Sequence, residues 1–170
     1  MSGRPASRTA RGNNRRLQIA TTVAAAAAAF DTASKLLVVE SSAIRQLPFV
    51  YLVNNPSYLL GIAGGRSLLL GLLSLATAVL AGWWMLPLAR RSTGAAVAAG
   101  LLIGGAASNA ADRIFHGQVV DFLDLGWIIV NAADLIIVVG VLISVRYWRA
   151  LTPSGRFRIL QTPDLRRTDA

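Results

Sequence analysis

Long apolar stretches, separated by less apolar segments, dominate the pattern of the 170-residue chain. The apolar stretches cover residues 17–39, 67–86, 94–111 and 127–145. Because a helix of roughly 20 residues crosses the hydrocarbon core of a bilayer, each stretch is long enough to span a membrane. The pattern predicts an all-α membrane protein with four transmembrane helices, formed by residues 17–147.

The segments outside these stretches are less apolar. Residues 1–16 and 148–170 are arginine-rich, and we expect the first to be a disordered basic tail and the second a basic tail. Residues 40–66 contain a turn-forming Asn-Asn-Pro sequence, and they are expected to form a small external substructure of loops and β-like segments. Its candidate strands are residues 51–53 and 58–60.

Small residues make up almost all of the third stretch. Gly100 and Gly104 form a pair four residues apart, with further small residues after them. Such spacing lets neighbouring helices approach closely, so the third helix is predicted to lie at the centre of the bundle.

Basic residues occur in alternate segments along the chain. Thirteen of the 17 lysine and arginine residues lie before the first stretch, between the second and third, or after the fourth. Cytoplasmic segments carry the excess of positive charge, so both termini are predicted to be cytoplasmic. No basic stripe is interleaved with aromatic residues, so the net charge of +9 does not indicate nucleic-acid binding. A cleaved export signal at Arg15 and Arg16 is the alternative, which Asp31 and Lys35 within the apolar run disfavour.

The composition excludes several kinds of site. The chain has no cysteine, which excludes disulfides, a thiol nucleophile and cysteine-based metal sites. Its one histidine, His116, cannot build a multi-histidine metal centre. Ser108 has no activating partner that the sequence reveals. We expect neither a metal nor an organic cofactor.

Ionisable and amide side chains are concentrated between the third and fourth stretches. Residues 104–134 contain Asn109, Asp112, Arg113, Asp121, Asp124, Asn131 and Asp134. An ionisable residue at membrane depth is costly, and it marks a functional site by default. In the first stretch Asp31 and Lys35, four residues apart, can pair on one helix face. That pair either only neutralises its own charges or supports the active site.

Carboxylate chemistry is what these residues offer. Two aspartates close together in a poorly solvated site share a proton. The ionised aspartate can take a proton from water while the protonated one donates to a carbonyl oxygen, which is the chemistry of an aspartyl peptidase. A proton or ion pathway would use the same residues. The residues alone do not select Asp121 and Asp134 over Asp112 and Asp124.

Two runs in this region resemble the motifs of bacterial lipoprotein signal peptidase (signal peptidase II). They read GGAASNAADRIFHGQVVDFLD and WIIVNAAD. The sequence DTASK, from Asp31 to Lys35, is similar to the D-x-x-x-K motif of that family's first helix. The external Asn-Pro that includes Asn55 lies where the family has an asparagine motif, with Asn54 as the adjacent alternative. The resemblance covers roughly residues 17–147.

The resemblance implies an intramembrane aspartyl endopeptidase that removes signal peptides from prolipoproteins whose cysteine carries diacylglycerol. The family's catalytic aspartates map onto Asp121 and Asp134. Its supporting and substrate-binding residues map onto Asn55, Asn109, Asp112, Arg113, Asn131, Asp31 and Lys35. The implied partners are prolipoproteins and membrane lipids. We expect a monomer in the bacterial cytoplasmic membrane, with its active site on the outer side.

The chain also departs from the family's pattern. Residues 57–60 replace the small residues of the family's external loop, and Val130 stands where the family has an aromatic residue. These differences bear on substrate choice, and they motivate an alternative. The chain would then be a catalytically silent relative that binds lipidated or signal-peptide helices. A small ion-coupled transporter is the third interpretation.

Overall fold

The structure, a computed structural model, describes residues 5–55 and 67–151. The elements follow in the order α1 (Pro5–Glu40), α2 (Ser42–Arg45), β1 (Val50–Asn55), α3 (Ser67–Ala89), α4 (Thr93–Phe115), β2 (Val119–Asp124), β3 (Ile129–Val130) and α5 (Ala132–Leu151). The predicted strand at 58–60 and the divergent loop at 57–60 lie outside the described residues. So do residues 1–4 and 152–170 of the two tails.

The first helix is longer than the apolar stretch that predicts it. α1 begins at Pro5, so it extends into residues 5–16, where the sequence analysis expects a disordered tail. Proline suits the first turn of a helix because its missing N–H needs no partner there. The alanine and arginine residues that follow have high helix propensity. The helix therefore continues from the apolar stretch into the basic segment, which corrects the prediction for those residues.

α4 lies at the centre of the fold and packs against α1, α3 and α5. A Cβ atom at Gly100 would lie 2.6 Å from the carbonyl oxygen of Ala20 and 2.7 Å from the Cβ atom of Val23, both on α1. A Cβ atom at Gly105 would lie 2.9 Å from the carbonyl oxygen of Ala133 on α5. The predicted close packing of the small-residue helix is confirmed. It brings the polar end of α4 next to both neighbours.

Among the described residues, three helical segments are long and apolar enough to cross a membrane: Arg11–Glu40, Leu69–Ala89 and Thr93–Phe115. Large apolar side chains point outward from α3, where Leu72 is 51% and Leu80 is 68% exposed. Such a surface is favourable in contact with lipid, and in water it would be a large exposed apolar patch. The chain is therefore a multi-pass membrane protein. The predicted fourth span corresponds to α5, which is not among these three segments.

The last helix begins later than the apolar pattern predicts. Residues 127–131 are expected to be helical, but Ile129–Val130 form β3 and α5 begins at Ala132. Asn131 Oδ1 accepts the backbone N–H of Asp134 at 3.0 Å, and Asp134 Oδ2 accepts the backbone N–H of Asn131 at 3.2 Å. This reciprocal pair is a capping box, which starts a helix immediately after its first residue. The spacing of these two residues marks a helix start.

The strands form one antiparallel sheet in the order β1-β2-β3. The sequence analysis expects β-like structure only in residues 40–66, yet two of the strands come from the connection between α4 and α5. Val53 pairs with Asp121 and Asn55 with Val119, so the end of β1 that carries Asn55 lies beside the start of β2. The turn into β3 contains Gly126 at a φ of 88°, and Asp124 Oδ1 accepts its N–H at 2.7 Å.

Candidate active site

Asp121 and Asp134 lie where the sheet meets α5. Asp121, on β2, is 5% exposed, and Asp134 is half-buried in the first turn of α5. Asn131 contacts both of them. Its Nδ2 atom donates to Asp121 Oδ1 at 2.7 Å, and its backbone N–H donates to Asp134 Oδ2. One residue therefore orients both carboxylates.

The second oxygen of each carboxylate accepts another amide. Asn55 Nδ2 donates to Asp121 Oδ2 at 2.8 Å, and Asn109 Nδ2 donates to Asp134 Oδ1 at 3.0 Å. All four donors are uncharged amides, which orient a carboxylate without neutralising its charge. Of the two adjacent asparagines in the external segment, the structure brings Asn55 to the site and leaves Asn54 exposed.

A second group of carboxylates surrounds Lys35. The Lys35 ammonium bonds to Asp31 and lies 2.6 Å from Asp112 Oδ2. Lys35 is 6% exposed and Asp31 is fully buried, so each charge depends on the other for compensation. The same ammonium also donates to Asn109 Oδ1 at 3.3 Å. Because Asn109 also donates to Asp134, this contact links the ion pair to the Asp134 carboxylate. The link favours a supporting role for the ion pair at the site over a pair that only neutralises its own charges.

Three further residues occupy the edge of this arrangement. Arg113 is buried, and its Nη1 atom donates to the backbone oxygen of Asn109 at 3.2 Å. His116 is exposed, with Nδ1 at 3.6 Å from Asp112 Oδ1. Asp124 is exposed at the end of β2, where it accepts the N–H of Gly126 and stabilises the turn.

Every residue that the sequence analysis assigns to the site lies in one continuous hydrogen-bonded network. Its members are Asp31, Lys35, Asn55, Asn109, Asp112, Arg113, Asp121, Asn131 and Asp134. Ser108 also belongs to it, although the sequence analysis gives it no role. Its hydroxyl donates to Asp31 Oδ2 at 2.7 Å. Its position directly before Asn109 is the only signal in the sequence that points to it.

Both Asp121 and Asp134 line a cavity of about 860 Å³. That volume lies within the range of about 300–1,000 Å³ that small-molecule pockets occupy. The cavity is lined by the sheet and its β2–β3 turn and by residues of α3 as far along that helix as Ala81. Most of the remaining wall is apolar, as at Leu102 and Ile137. The arrangement places two carboxylates beside an apolar chamber that runs along the helices.

Within the described ranges, no group of three or more histidine, aspartate or glutamate side chains is arranged to hold a metal ion. Polar residues that line the cavity include the two carboxylates, their amide donors, Arg113, Asp124, Ser74 and Thr77. What they offer to a bound molecule is proton transfer and hydrogen bonding.

Comparisons with known proteins agree with the sequence motifs. The sequence profile of the family described as signal peptidase (SPase) II matches residues 23–149. The chain is 39% identical over 106 residues to the lipoprotein signal peptidase of Moorella thermoacetica, covering 61% of this chain and 68% of that protein. It is 36% identical over 148 residues to the lipoprotein signal peptidase of Mycobacterium avium, covering 77% and 79% of the two chains.

A third relative is matched over a shorter length. The lipoprotein signal peptidase of Methylobacterium radiotolerans is 42% identical over 97 residues, and the match covers 54% of each protein. Among solved structures, a bacterial membrane enzyme determined at 2.3 Å resolution superimposes with a TM-score of 0.68, covering 80% of this chain and 90% of that one. With 22% sequence identity, this likeness supports the fold alone.

Proposed function

The chain belongs to the signal peptidase II family, and on that premise we propose that it is an intramembrane aspartyl endopeptidase. Its substrates would be diacylglyceryl-modified prolipoproteins, from which it removes the signal peptide. One observation carries the proposal: Asn131 orients both Asp121 and Asp134 at the wall of one cavity. Two carboxylates held in this way can act on a single water molecule.

The reaction requires one ionised and one protonated carboxylate. The ionised one takes a proton from water as the water oxygen attacks the scissile carbonyl carbon. The protonated one donates its proton to the carbonyl oxygen, which gives a tetrahedral diol. When the diol collapses, the C–N bond breaks, and the aspartate that took the proton from water gives it to the departing nitrogen. The other aspartate takes a proton from the hydroxyl group that becomes the new carbonyl, which returns the pair to its starting state. The uncharged amide donors suit this cycle because they hold neither Asp121 nor Asp134 in an ion pair.

The shape of the cavity supports a substrate that comes from the membrane. Its wall extends from the carboxylates to Ala81 in the apolar middle of α3. A signal-peptide helix entering sideways from the lipid phase would lie along this apolar wall. The scissile bond would reach Asp121 and Asp134, and the lipidated cysteine would stay at the outer surface of the membrane. We expect a monomer that needs no cofactor.

The topology that fits this mechanism has four membrane helices, with α5 as the fourth, and both termini in the cytoplasm. Arg90 and Arg91, in the turn between α3 and α4, mark the cytoplasmic side. The Arg16 guanidinium donates to the backbone oxygen of Arg90 at 2.7 Å, so the basic part of α1 lies at the same end. The sheet and the two carboxylates would then face the outer side.

Cleavage of a diacylglyceryl-modified prolipoprotein by the purified protein in detergent, followed by gel shift, tests the proposal. Wild type should cleave, and Asp121→Asn and Asp134→Asn should each lose at least about 100-fold in rate, because general acid–base catalysis contributes about 10²–10⁴-fold. Both variants should still bind the substrate. Full cleavage by both variants would contradict the proposed mechanism.

Two other results would identify the alternative functions. A folded wild type that binds the prolipoprotein without cleaving it would identify a non-catalytic relative. Ion flux in proteoliposomes that a prolipoprotein does not inhibit would identify a transporter.

A further inference from the structure

The buried hydroxyl of Ser108 bonds to a neighbouring helix and not to its own. Ser144, on α5, is 7% exposed and donates to Gly140 O, one turn back in its own helix, at 2.7 Å. Such bonding within the helix is what a buried serine ordinarily does. Ser108, on α4, is 6% exposed and donates instead to the Asp31 carboxylate on α1, also at 2.7 Å. The hydroxyl therefore links two helices.

Asp31 transmits that link to α5. Its Oδ2 atom accepts from Ser108 and from Lys35, and its Oδ1 atom accepts the backbone N–H of Ala133 at 2.8 Å. Ala133 directly precedes Asp134 in the first turn of α5. Because both donors to Oδ2 fix the rotation of the carboxylate, they also fix the direction in which Oδ1 holds the N-terminus of α5.

We propose that Ser108 is a positioning residue, which acts through Asp31 to hold the first turn of α5 and with it the Asp134 carboxylate. This rests on the proposed function, in which Asp134 touches the reacting atoms. Asn131 and Asn109 orient the Asp134 side chain, while Ser108 and Asp31 fix the backbone that carries it. A reacting group displaced by about 1 Å can lose about 100-fold in rate. A smaller displacement, with Lys35 still in place, should lower kcat by about fivefold to 20-fold.

The test compares kcat and KM of Ser108→Ala with those of wild type on a lipidated prolipoprotein. Ser144→Ala is the matched control, because it removes an equally buried hydroxyl with a bond of the same length. We expect Ser108→Ala to lower kcat at an unchanged KM and Ser144→Ala to leave both unchanged. Ser108→Thr, which keeps the hydroxyl group, should retain the wild-type kcat. Ser108→Cys keeps the volume but donates weakly, so it should reproduce the loss without opening a void.

One further comparison shows whether Ser108 acts through Asp31. The double variant Ser108→Ala/Asp31→Ala should be no slower than Asp31→Ala alone, because the serine would have no carboxylate left to orient. Independent, multiplying losses would overturn the proposal, as would a wild-type kcat in both Ser108→Ala and Ser108→Cys. Equal losses in Ser108→Ala and Ser144→Ala would also overturn it. Wild-type turnover that Asp134→Asn abolishes shows that the proposed function itself holds. Absence of wild-type turnover would overturn both proposals.

Discussion

The two pairs of aspartates in this protein differ in the groups that surround them. Asp31 and Asp112 share the Lys35 ammonium, so one buried cation lies between two carboxylates and offsets part of their combined charge. Asp121 and Asp134 accept hydrogen bonds from the amides of Asn55, Asn109 and Asn131.

Under the proposed mechanism, the difference separates a structural pair from a reacting pair. A buried cation holds the carboxylates bonded to it in place, and breaking such a buried pair is strongly destabilising. A carboxylate held by neutral amides keeps its geometry and is not engaged by a cation, which suits the proton transfers proposed for Asp121 and Asp134. Sequence spacing alone does not separate the two pairs, whereas the identity of the donors does. Asn109 touches both groups, so the ion pair supports the amide-held pair without sharing its role.

Removal of the cation should have the largest effect on stability. In Lys35→Met, the buried Asp31 and the neighbouring Asp112 lose their shared partner, and breaking a buried pair in this way costs about 3–5 kcal/mol. Thermal or chemical unfolding in detergent measures the loss. Asp121→Asn should cost less, about 1.5–3 kcal/mol, because the amide NH2 group that replaces one carboxylate oxygen cannot accept the hydrogen bond made there.

The control for the cation is Arg91→Met, which removes one positive charge from the exposed α3–α4 turn. It should unfold like wild type. Equal free energies of unfolding in Lys35→Met and Arg91→Met would show that the buried ion pair does not stabilise the fold.

The next largest effect should come from replacing Asn131, which contacts both carboxylates. Asn131→Ala removes the donor to Asp121 Oδ1 and the cap of the Asp134 N–H. Both groups would then move relative to each other, and we expect cleavage to fall by about 100-fold. Steady-state kinetics measures this loss. The lost cap should also lower the free energy of unfolding by about 0.5–2 kcal/mol. A rate within a few-fold of wild type in a folded variant would show that another group orients the pair.

The adjacent asparagines of β1 provide a matched pair with a smaller expected effect. Asn55→Ala removes one hydrogen bond to the Asp121 carboxylate, and such bonds to charged groups contribute about 1.5–3 kcal/mol, so kcat/KM should fall by about tenfold or more. Asn54→Ala changes an exposed side chain and should lower kcat/KM by less than about twofold. The opposite ranking in the prolipoprotein assay would place the other asparagine at the site.

Apart from Ser108, the members of the hydrogen-bonded network are predictable from the sequence, because its motifs place polar residues at fixed positions in apolar surroundings. The partners of those residues are not. Asn55 and Asp121 lie 66 residues apart in the chain, and the strand pairing that joins them is a tertiary contact that no local pattern shows. Likewise, the apolar character of residues 127–131 predicts helix, whereas the cap at Asn131 places the helix start after them. The contact of Ser108 with Asp31 depends on how closely α4 approaches α1.

We expect the smallest effect from replacing Asp124. This residue tests whether the position and donors of a carboxylate matter, or only its charge. It borders the same cavity as Asp121, but it is exposed and its Oδ1 accepts only the Gly126 N–H among the bonds described here. Asparagine can accept the same bond, so Asp124→Asn should keep the turn and change kcat/KM by less than about twofold. Asp121→Asn, measured beside it, should lose at least about 100-fold. Since both substitutions remove one negative charge from the same wall, only the position and the donors of the carboxylate differ between them. A comparable loss in Asp124→Asn would mean that the charge of the cavity wall, and not the amide-held pair, controls the reaction.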